Sequence, residues 1–522
     1  MGFEEPSKSN AGLHDVSGDI KLEQSNQEGV FRTADLATLG LSQETERDIG
    51  PLDIICVGWN ICNSWAGVAA TMALTIAQGG AVTLIYGVIV VFIMVGCSGL
   101  TMAELASVYP TAGGQYHWTS ILTPARPARI LSYACGVTNV YAWISTTAGI
   151  AIIIAQVILG MVIFYQPDYV PETWHYFLVY QVFNLLVCIH NIFTLKKTMW
   201  VNDVSFVVTL TGFFTIIVTC LVRSSPKQDA AFVWSTFVNE SGWSDGVSFL
   251  TGLVSPNYMY AGIDGAIHLA EECKNPARVV PRAIISTLVI GFITSFTFAV
   301  TMTYGIADFD AVLNTPTAVP AYEIWYQASK SKAAATTFMA ILLTAATVAL
   351  IAVQQTASRL TWSFARDNAL LGSKFMGTIH PSLGVPVWAL LANALVVFII
   401  GCIFLGSSTA FNAFIGTSLI LQQVTYAIPA ALLMYRKRSH SFLPIDRPFK
   451  LYSPIGWLVN IVTVVFAIIV VIFYNFPVIL PVVGSNMNYT SAVIGIMAIF
   501  AAINWFIHAR KKYHGPRLAG VE

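Results

Sequence analysis

Five stretches of this chain contain no Asp, Glu, Lys or Arg: residues Ile54–Ala103, Ile130–Pro167, Ala283–Ala307, Phe375–Tyr435 and Leu451–Ala509. A helix needs about 20 apolar residues to cross the hydrocarbon of a bilayer, so each stretch holds one or two spans. Composition agrees, because only 10% of the 522 residues are charged, against about 25% in soluble domains. The expected fold is therefore an all-α polytopic membrane protein. Polar breaks place about 12 spans near residues 52–78, 81–105, 130–165, 175–195, 199–223, 246–273, 283–306, 333–362, 386–405, 408–435, 455–478 and 489–510. The net charge is zero and the pI is near neutral, so nothing suggests nucleic acid.

Basic residues orient these spans. One set of loops and span ends holds Arg126, Arg129, Lys196, Lys197, Lys274, Arg278, Arg282, Arg359, Arg366, Lys374, Arg436, Lys437, Arg438, Arg447 and Lys450. The other set holds only Arg223, Lys227, Lys330 and Lys332, a bias of 15 to 4 that predicts cytosolic termini. Residues 1–48 read as a disordered cytosolic tail and 511–522 as a short cytosolic end. The tail has no apolar secretory segment, and Pro6 stands where myristoylation requires Ser or Thr. Asn239-Glu-Ser and Asn488-Tyr-Thr are glycosylation candidates in loops assigned outside. The eight cysteines have no metal spacing and read as small apolar packing residues. No metal and no cofactor is expected.

Two spans carry defects. The first, DIICVGWNICNSWAGVAATMALTIAQGG, places Asn60, Asn63, Ser64 and Gly67 at mid-depth. In the sixth, Pro256 removes a helical donor, and Gly262 and Gly265 bracket Ile263 and Asp264. Broken helices are tolerated at membrane depth where they line a cavity. If residues 52–223 and 246–435 are two repeats of five spans, with 455–510 as extra helices, the breaks occupy matching positions. Such pairing points to a transporter's central site.

Asp264, His268, Glu271 and Glu272 follow at offsets of four, seven and eight and share one helix face. A carboxylate at mid-membrane is a functional candidate. Asp264 can neutralise an ammonium group, carry a coupling proton, or cap the second half-helix through the N–H groups of Ala266, Ile267 or His268; these roles stay open together. His268 reads as a proton relay or a packing residue. Glu271 and Glu272 read as a cytosolic gate or a solvated helix end, with Lys274, Arg278 and Arg282 following at once and Arg359 and Arg366 as alternative partners. Trp59, Trp65, Tyr258 and Tyr260 surround the breaks, and Trp143 lies in the third span. Aromatic faces attract ammonium groups. Trp65 is the expected substrate wall, and Trp143 is a candidate whose default is packing.

AELASVYPTAGGQYHW, residues 103–118, and YAGIDGAIHLAEECKNPARVVPRAI, residues 260–284, resemble signatures of the amino acid–polyamine–organocation permeases. CNSWAG in the first span resembles the fungal amino acid/choline branch, which contains choline and GABA permeases. The resemblance covers roughly residues 50–510. It implies a LeuT-type 5+5 inverted repeat with two C-terminal helices. It also implies substrate binding at Asn63, Ser64, Trp65, Ala66 and Gly67, and at Tyr260, Ala261, Gly262, Ile263 and Asp264. Glu104 and the stretch 109–115 take a gating and stability role by the same resemblance. A lysine that many proton-coupled relatives place in the fifth span is missing here. A proton is the expected coupling ion, with sodium as the alternative.

The function expected is a secondary active permease of the cell membrane for a small amine or amino acid, such as choline or GABA. Rival readings are an exporter or intracellular carrier of a specialised metabolite and a nutrient-sensing receptor. No nucleophile–base pair in the spans points to an enzyme. Partners are the substrate and membrane lipid, and the oligomeric state is left open.

Overall fold

The computed structural model describes residues 43–516, so most of the expected N-terminal tail and the last six residues of the C-terminal end lie outside the described residues. Ten helices among these residues are long and apolar enough to cross a membrane. They are Gly80–Val108, Ala125–Tyr165, Thr173–Phe193, Trp200–Arg223, Pro276–Gly305, Lys332–Arg366, Val387–Gly406, Ser408–Tyr435, Ser453–Phe473 and Thr490–Lys512. The first and sixth spans complete the set. Each is divided into pieces too short to cross alone, Pro51–Cys62 with Ser64–Ala77, and Asp245–Gly252, Val254–Asn257 and Gly265–His268. The chain is thus an all-α polytopic membrane protein. A two-stranded pairing, Gln78–Gly79 against Val238–Asn239, joins two loops on one face.

Two boundaries differ from expectation for one reason. The third span begins at Ala125 and the seventh at Pro276, ahead of the uncharged runs that start at Ile130 and Ala283. Both helices continue past the apolar segment and carry their arginines in a helical turn. The eleventh ends early, at Phe473, because Pro477 follows.

The seventh span packs along the second and the eighth along the third, so the broken first and sixth spans sit inside the bundle. Their residues from Trp59 to Ser64 and from Met259 to Ala270 are almost all buried. Outward-facing residues of the fourth, fifth, ninth and eleventh spans are instead exposed Leu, Ile, Val and Phe, as surfaces facing lipid should be.

The face rich in Lys and Arg is tied together by buried charge. Glu104, at the end of the second span, is fully buried and accepts from Arg438 Nη2 at 2.5 Å, Arg447 Nη2 at 2.7 Å and the Leu451 N–H at 3.0 Å. A Cβ at Gly456 would overlap the Arg438 guanidinium, so glycine there leaves room for the pair. Residues 43–49 run across the same face. Ile49 pairs with Cys273 in a parallel bridge, and Gln43 Nε2 and Thr45 Oγ1 donate to the Glu271 carbonyl. Lys196 bonds Glu46 at 3.0 Å and holds that carboxyl below its ordinary range.

Neither glycosylation candidate has a free amide. Asn239 Nδ2 donates to the Trp243 carbonyl and to Asp245 Oδ1, and Asn488 Nδ2 donates to the carbonyls of Tyr474 and Phe476. A glycan on either nitrogen would break bonds that shape its own loop.

Replacing Glu104 by Ala strands two arginines in a buried setting. Loss of one partner from such a network costs about 3–5 kcal/mol. The expected result is a clearly lower thermal unfolding temperature in detergent, while Lys330→Ala on the opposite face leaves it unchanged.

Candidate substrate site

The first span breaks at a single residue. Asn63 has left-handed backbone angles, φ 31° and ψ 62°, a conformation asparagine tolerates better than most residues. Its N–H closes the first half-helix on the Trp59 carbonyl at 2.6 Å, and its own carbonyl accepts from Ala66 and Gly67. The sixth span unwinds from Tyr258 to Asp264, first as one 3-10 turn over Tyr258–Tyr260 and then as linked turns. Gly262 takes φ +80°, and a Cβ there would stand 2.8 Å from Ile61 and 3.0 Å from Trp143.

The two breaks bond to each other. Ser64 Oγ donates to the Met259 carbonyl at 2.7 Å, and Ser255 Oγ donates to the Thr71 carbonyl at 2.5 Å. A Cβ at Gly67 would lie 3.1 Å from the Tyr258 carbonyl, so the spans approach closely there. The freed N–H of Gly262 donates to Gln422 Oε1 at 3.1 Å, and Gln422 Nε2 donates on to Thr146. This meets the demand that unwound backbone in a membrane protein find partners.

A cavity of about 510 Å³ opens above these breaks. It reaches the loops around Gln78, Thr409 and Asn488, on the face opposite the basic one. Among the described residues no Asp, Glu, Lys, Arg or His lines it. Its polar groups are amides and hydroxyls, among them Asn63, Thr146, Gln156, Asn412 and Tyr258. The Asn63 carboxamide is buried, and neither its Nδ2 nor its Oδ1 has a hydrogen-bond partner.

Of the residues expected at the site, Asn63, Ala66, Gly67, Tyr258 and Ala261 line the cavity. Ser64, Trp143, Tyr260, Gly262, Ile263 and Asp264 lie beneath or beside it and do not. Trp65 requires a correction. It is fully buried and packs on Phe213 and Phe298, with centroids 6.3 and 5.8 Å away. The single left-handed residue at position 63 rotates the helix so that Ala66 and Gly67 face the cavity and Trp65 faces the fifth and seventh spans. Tyr260 is similarly diverted, its hydroxyl donating to the Leu288 carbonyl at 2.6 Å. The aromatic faces left to the cavity are Tyr258, Phe473, Tyr474, Phe476 and Tyr489.

Asp264 loses one of its three open roles, the helix cap. It stands at the N-cap position of Gly265–His268, yet its side chain makes no cap bond. Its carboxylate, fully buried, accepts from Tyr426 OH at 2.7 Å on Oδ1, and from Gln115 Nε2 at 2.7 Å and Trp143 Nε1 at 3.3 Å on Oδ2. His268 Nε2 lies 3.1 Å from the same Oδ2. His268 Nδ1 stands 2.8 Å from the Ala112 carbonyl, which can only accept, so Nδ1 carries a proton. The short contact to Asp264 then needs a second proton, held on Nε2 or on Oδ2. Asn139 Nδ2 bridges to Gln115 Oε1 at 3.2 Å.

Below this cluster the basic face is shut. Arg366 forks onto Glu271 at 2.8 and 3.0 Å, and Arg359 Nε meets Glu272 at 2.7 Å. These are the alternative partners. Arg278 and Arg282 make no ion pair with either carboxylate. Among the described residues no group of three His, Cys, Asp or Glu converges as a metal site.

Reading the sequence did not single out Gln422, Tyr426 and Thr146. They are polar residues inside apolar spans, which was the only available signal.

A cavity seated on two broken helices, open to one face and sealed by ion pairs at the other, defines a membrane carrier. The chain belongs to the amino acid permease family, whose model matches residues 49–499. It is 35% identical to the choline transporter of Saccharomyces cerevisiae over 88% of this chain and 81% of that one. The swainsonine transporter of Arthroderma benhamiae is 30% identical over 94% of this chain and 98% of its own length. The 7-keto 8-aminopelargonic acid transporter of Saccharomyces cerevisiae is 27% identical over 86% and 90%. The protein is a secondary transporter with the fold of the amino acid–polyamine–organocation permeases.

Because Trp65 is packing, Trp65→Ala should act through stability. Deleting a buried indole costs about 3–5 kcal/mol. The expected outcome is a lowered unfolding temperature with an unchanged KM in the protein that does fold. A raised KM at unchanged stability would return Trp65 to the substrate wall.

Proposed function

We propose that this permease carries a small nitrogen compound, a monocation or a zwitterion, which binds at Asn63 and Tyr258. The observation that carries this reading is the unpartnered Asn63 carboxamide at the floor of a cavity free of charged side chains. Helix-end dipoles meet there. The carbonyl end of Pro51–Cys62 favours a cation and the N–H end of Ser64–Ala77 favours an anion. An ammonium group is held by carbonyl oxygens and the faces of Tyr258 and Tyr474, and any carboxylate lies on the half-helix N-termini. The relatives named for choline and for 7-keto 8-aminopelargonic acid support such a substrate class.

The basic face is cytosolic in this reading, by the positive-inside bias. The cavity then opens outward and the ion pairs of Glu271 and Glu272 form the closed inner gate. The relative named for swainsonine keeps transport of a specialised metabolite as a second reading, in which net flux runs outward.

The coupling ion is a proton shared by Asp264 and His268. These side chains hold the sixth span's break against the second-to-third-span segment through Gln115 and Ala112, the third span through Trp143, and the tenth through Tyr426. Loss of the shared proton puts the Nε2 lone pair against the carboxylate, which weakens the grip between these elements and favours rearrangement.

Asn63→Gly, which keeps the left-handed backbone, should raise the KM for the transported compound by roughly tenfold, the loss of about one good polar contact to a charged ligand, with little change in unfolding temperature. Uptake in a permease-deficient host, tested with choline, GABA and a panel of amino acids, is the measurement. An unchanged KM for every transported compound refutes the site. His268→Gln should abolish accumulation driven by a proton gradient and retain exchange of labelled for unlabelled substrate. Accumulation that still follows the proton gradient in this variant overturns the coupling assignment.

A further inference from the structure

A second cavity, of about 250 Å³, lies at the basic face between the start of the seventh span and the loop before the eleventh. Arg278, Arg282, Pro281 and Ile285 form one wall, and Pro448 and Phe449 form the other. We propose that this groove binds the headgroup of an anionic phospholipid, with its acyl chains running down the seventh span.

The depth fits a lipid headgroup. Pro276–Gly305 has 30 residues, about 45 Å at 1.5 Å per residue, which exceeds a hydrocarbon layer of about 30 Å. The uncharged run begins at Ala283, so residues 276–282 stand in the headgroup layer. The stripe beyond the arginines is apolar. Ile285, Val289 and Ile293 follow Arg282 at offsets of three, seven and eleven, and Val289 and Ile293 are 47% and 56% exposed. No described residue covers them, and in a bilayer they face acyl chains.

The charge fits too. Arg278 and Arg282 are exposed, one helical turn apart on one face, and neither makes an ion pair among the described residues. Lys274 and Lys450 are exposed in the flanking segments. Asp446, the only acid of the neighbouring loop, is exposed and does not line the groove. Two guanidinium forks without carboxylates suit a phosphate, which each can bind through paired N–H donors.

The second wall is preformed. The loop carrying Pro448 and Phe449 is pinned by Glu104 through Arg447 and the Leu451 N–H, and Ser107 Oγ donates to the Phe449 carbonyl at 3.2 Å. A basic pocket of this kind at a membrane surface is a recognised form of anionic lipid site.

The purified full chain, titrated with phosphatidylserine or phosphatidylcholine and read by native mass spectrometry, tests this. Phosphatidylserine should bind in preference to phosphatidylcholine. Arg278→Ala with Arg282→Ala should weaken phosphatidylserine binding roughly 30-fold, the effect of two charges at a membrane surface, and leave phosphatidylcholine binding unchanged. Lys330→Ala with Lys332→Ala, on the opposite face, should change neither. Should the double arginine variant fail to fold, Arg282→Gln alone carries the same expectation at roughly fivefold. Wild-type phosphatidylserine binding in the arginine variants overturns the proposal. So does displacement of the lipid by inorganic phosphate at matching concentration, which would make the groove a site for a soluble anion.

Discussion

A carboxylate buried at the middle of a membrane protein must be met by donors, and the donors of Asp264 come from widely separated parts of the chain. Tyr426 belongs to the tenth span, Trp143 to the third, Gln115 to the short helix after the second, and His268 to the piece of the sixth below the break. Breaking a buried, fully bonded charge of this kind leaves an uncompensated ion, which is far costlier than the pair is stabilising. The four elements are therefore held in one arrangement by the bonds that converge on this carboxylate. The unwound backbone above Asp264 is possible because Gln422 accepts the stranded Gly262 N–H.

The molecule is electrically uneven along its axis. The cavity end uses amides, hydroxyls and aromatic faces, while the basic end uses Glu104, Glu271 and Glu272 paired with four arginines. Ion pairs at the rim of a membrane protein can exchange partners with water when they part, which fits the inner gate proposed above. The segment 43–49 reinforces the same closure, since its backbone and side chains bond to the Glu271 and Glu272 carbonyls. Glu271 and Glu272 are thus held at both ends, by arginines on the side chains and by this segment on the backbone.

How much of this was legible depended on the kind of signal. The span count came from charge gaps, which the hydrocarbon layer enforces. The break at Asn63 and the unwinding near Gly262 came from residues that helices at membrane depth tolerate poorly. The facing of individual side chains was not legible. One left-handed residue sets the phase of all that follows it, and no local pattern says by how much, so Trp65 was read onto the cavity when it packs on Phe213 and Phe298. The donors of Asp264 were hidden for a related reason. Gln422 and Tyr426 are isolated polar residues in an otherwise apolar helix, and only the tertiary fold brings them to the sixth span. Arg359 and Arg366 were read as one of two partner sets for the gate, because proximity in sequence favoured Lys274, Arg278 and Arg282 equally well.

The absence of charged side chains from the cavity lining bears on how a carrier resets. A carrier has to return without its substrate, and an ionised side chain facing an emptied, occluded cavity would lose both its ligand and its water. Helix-end dipoles and an amide such as Asn63 avoid that cost, because each is a partial charge with its opposite close by in the same backbone. The one carboxylate near the floor, Asp264, is surrounded by donors and by His268. Charge on the substrate is then handled by groups that are neutral when the site is empty. The buried carboxylates of the basic face, Glu104 and Glu271, are instead matched by arginines.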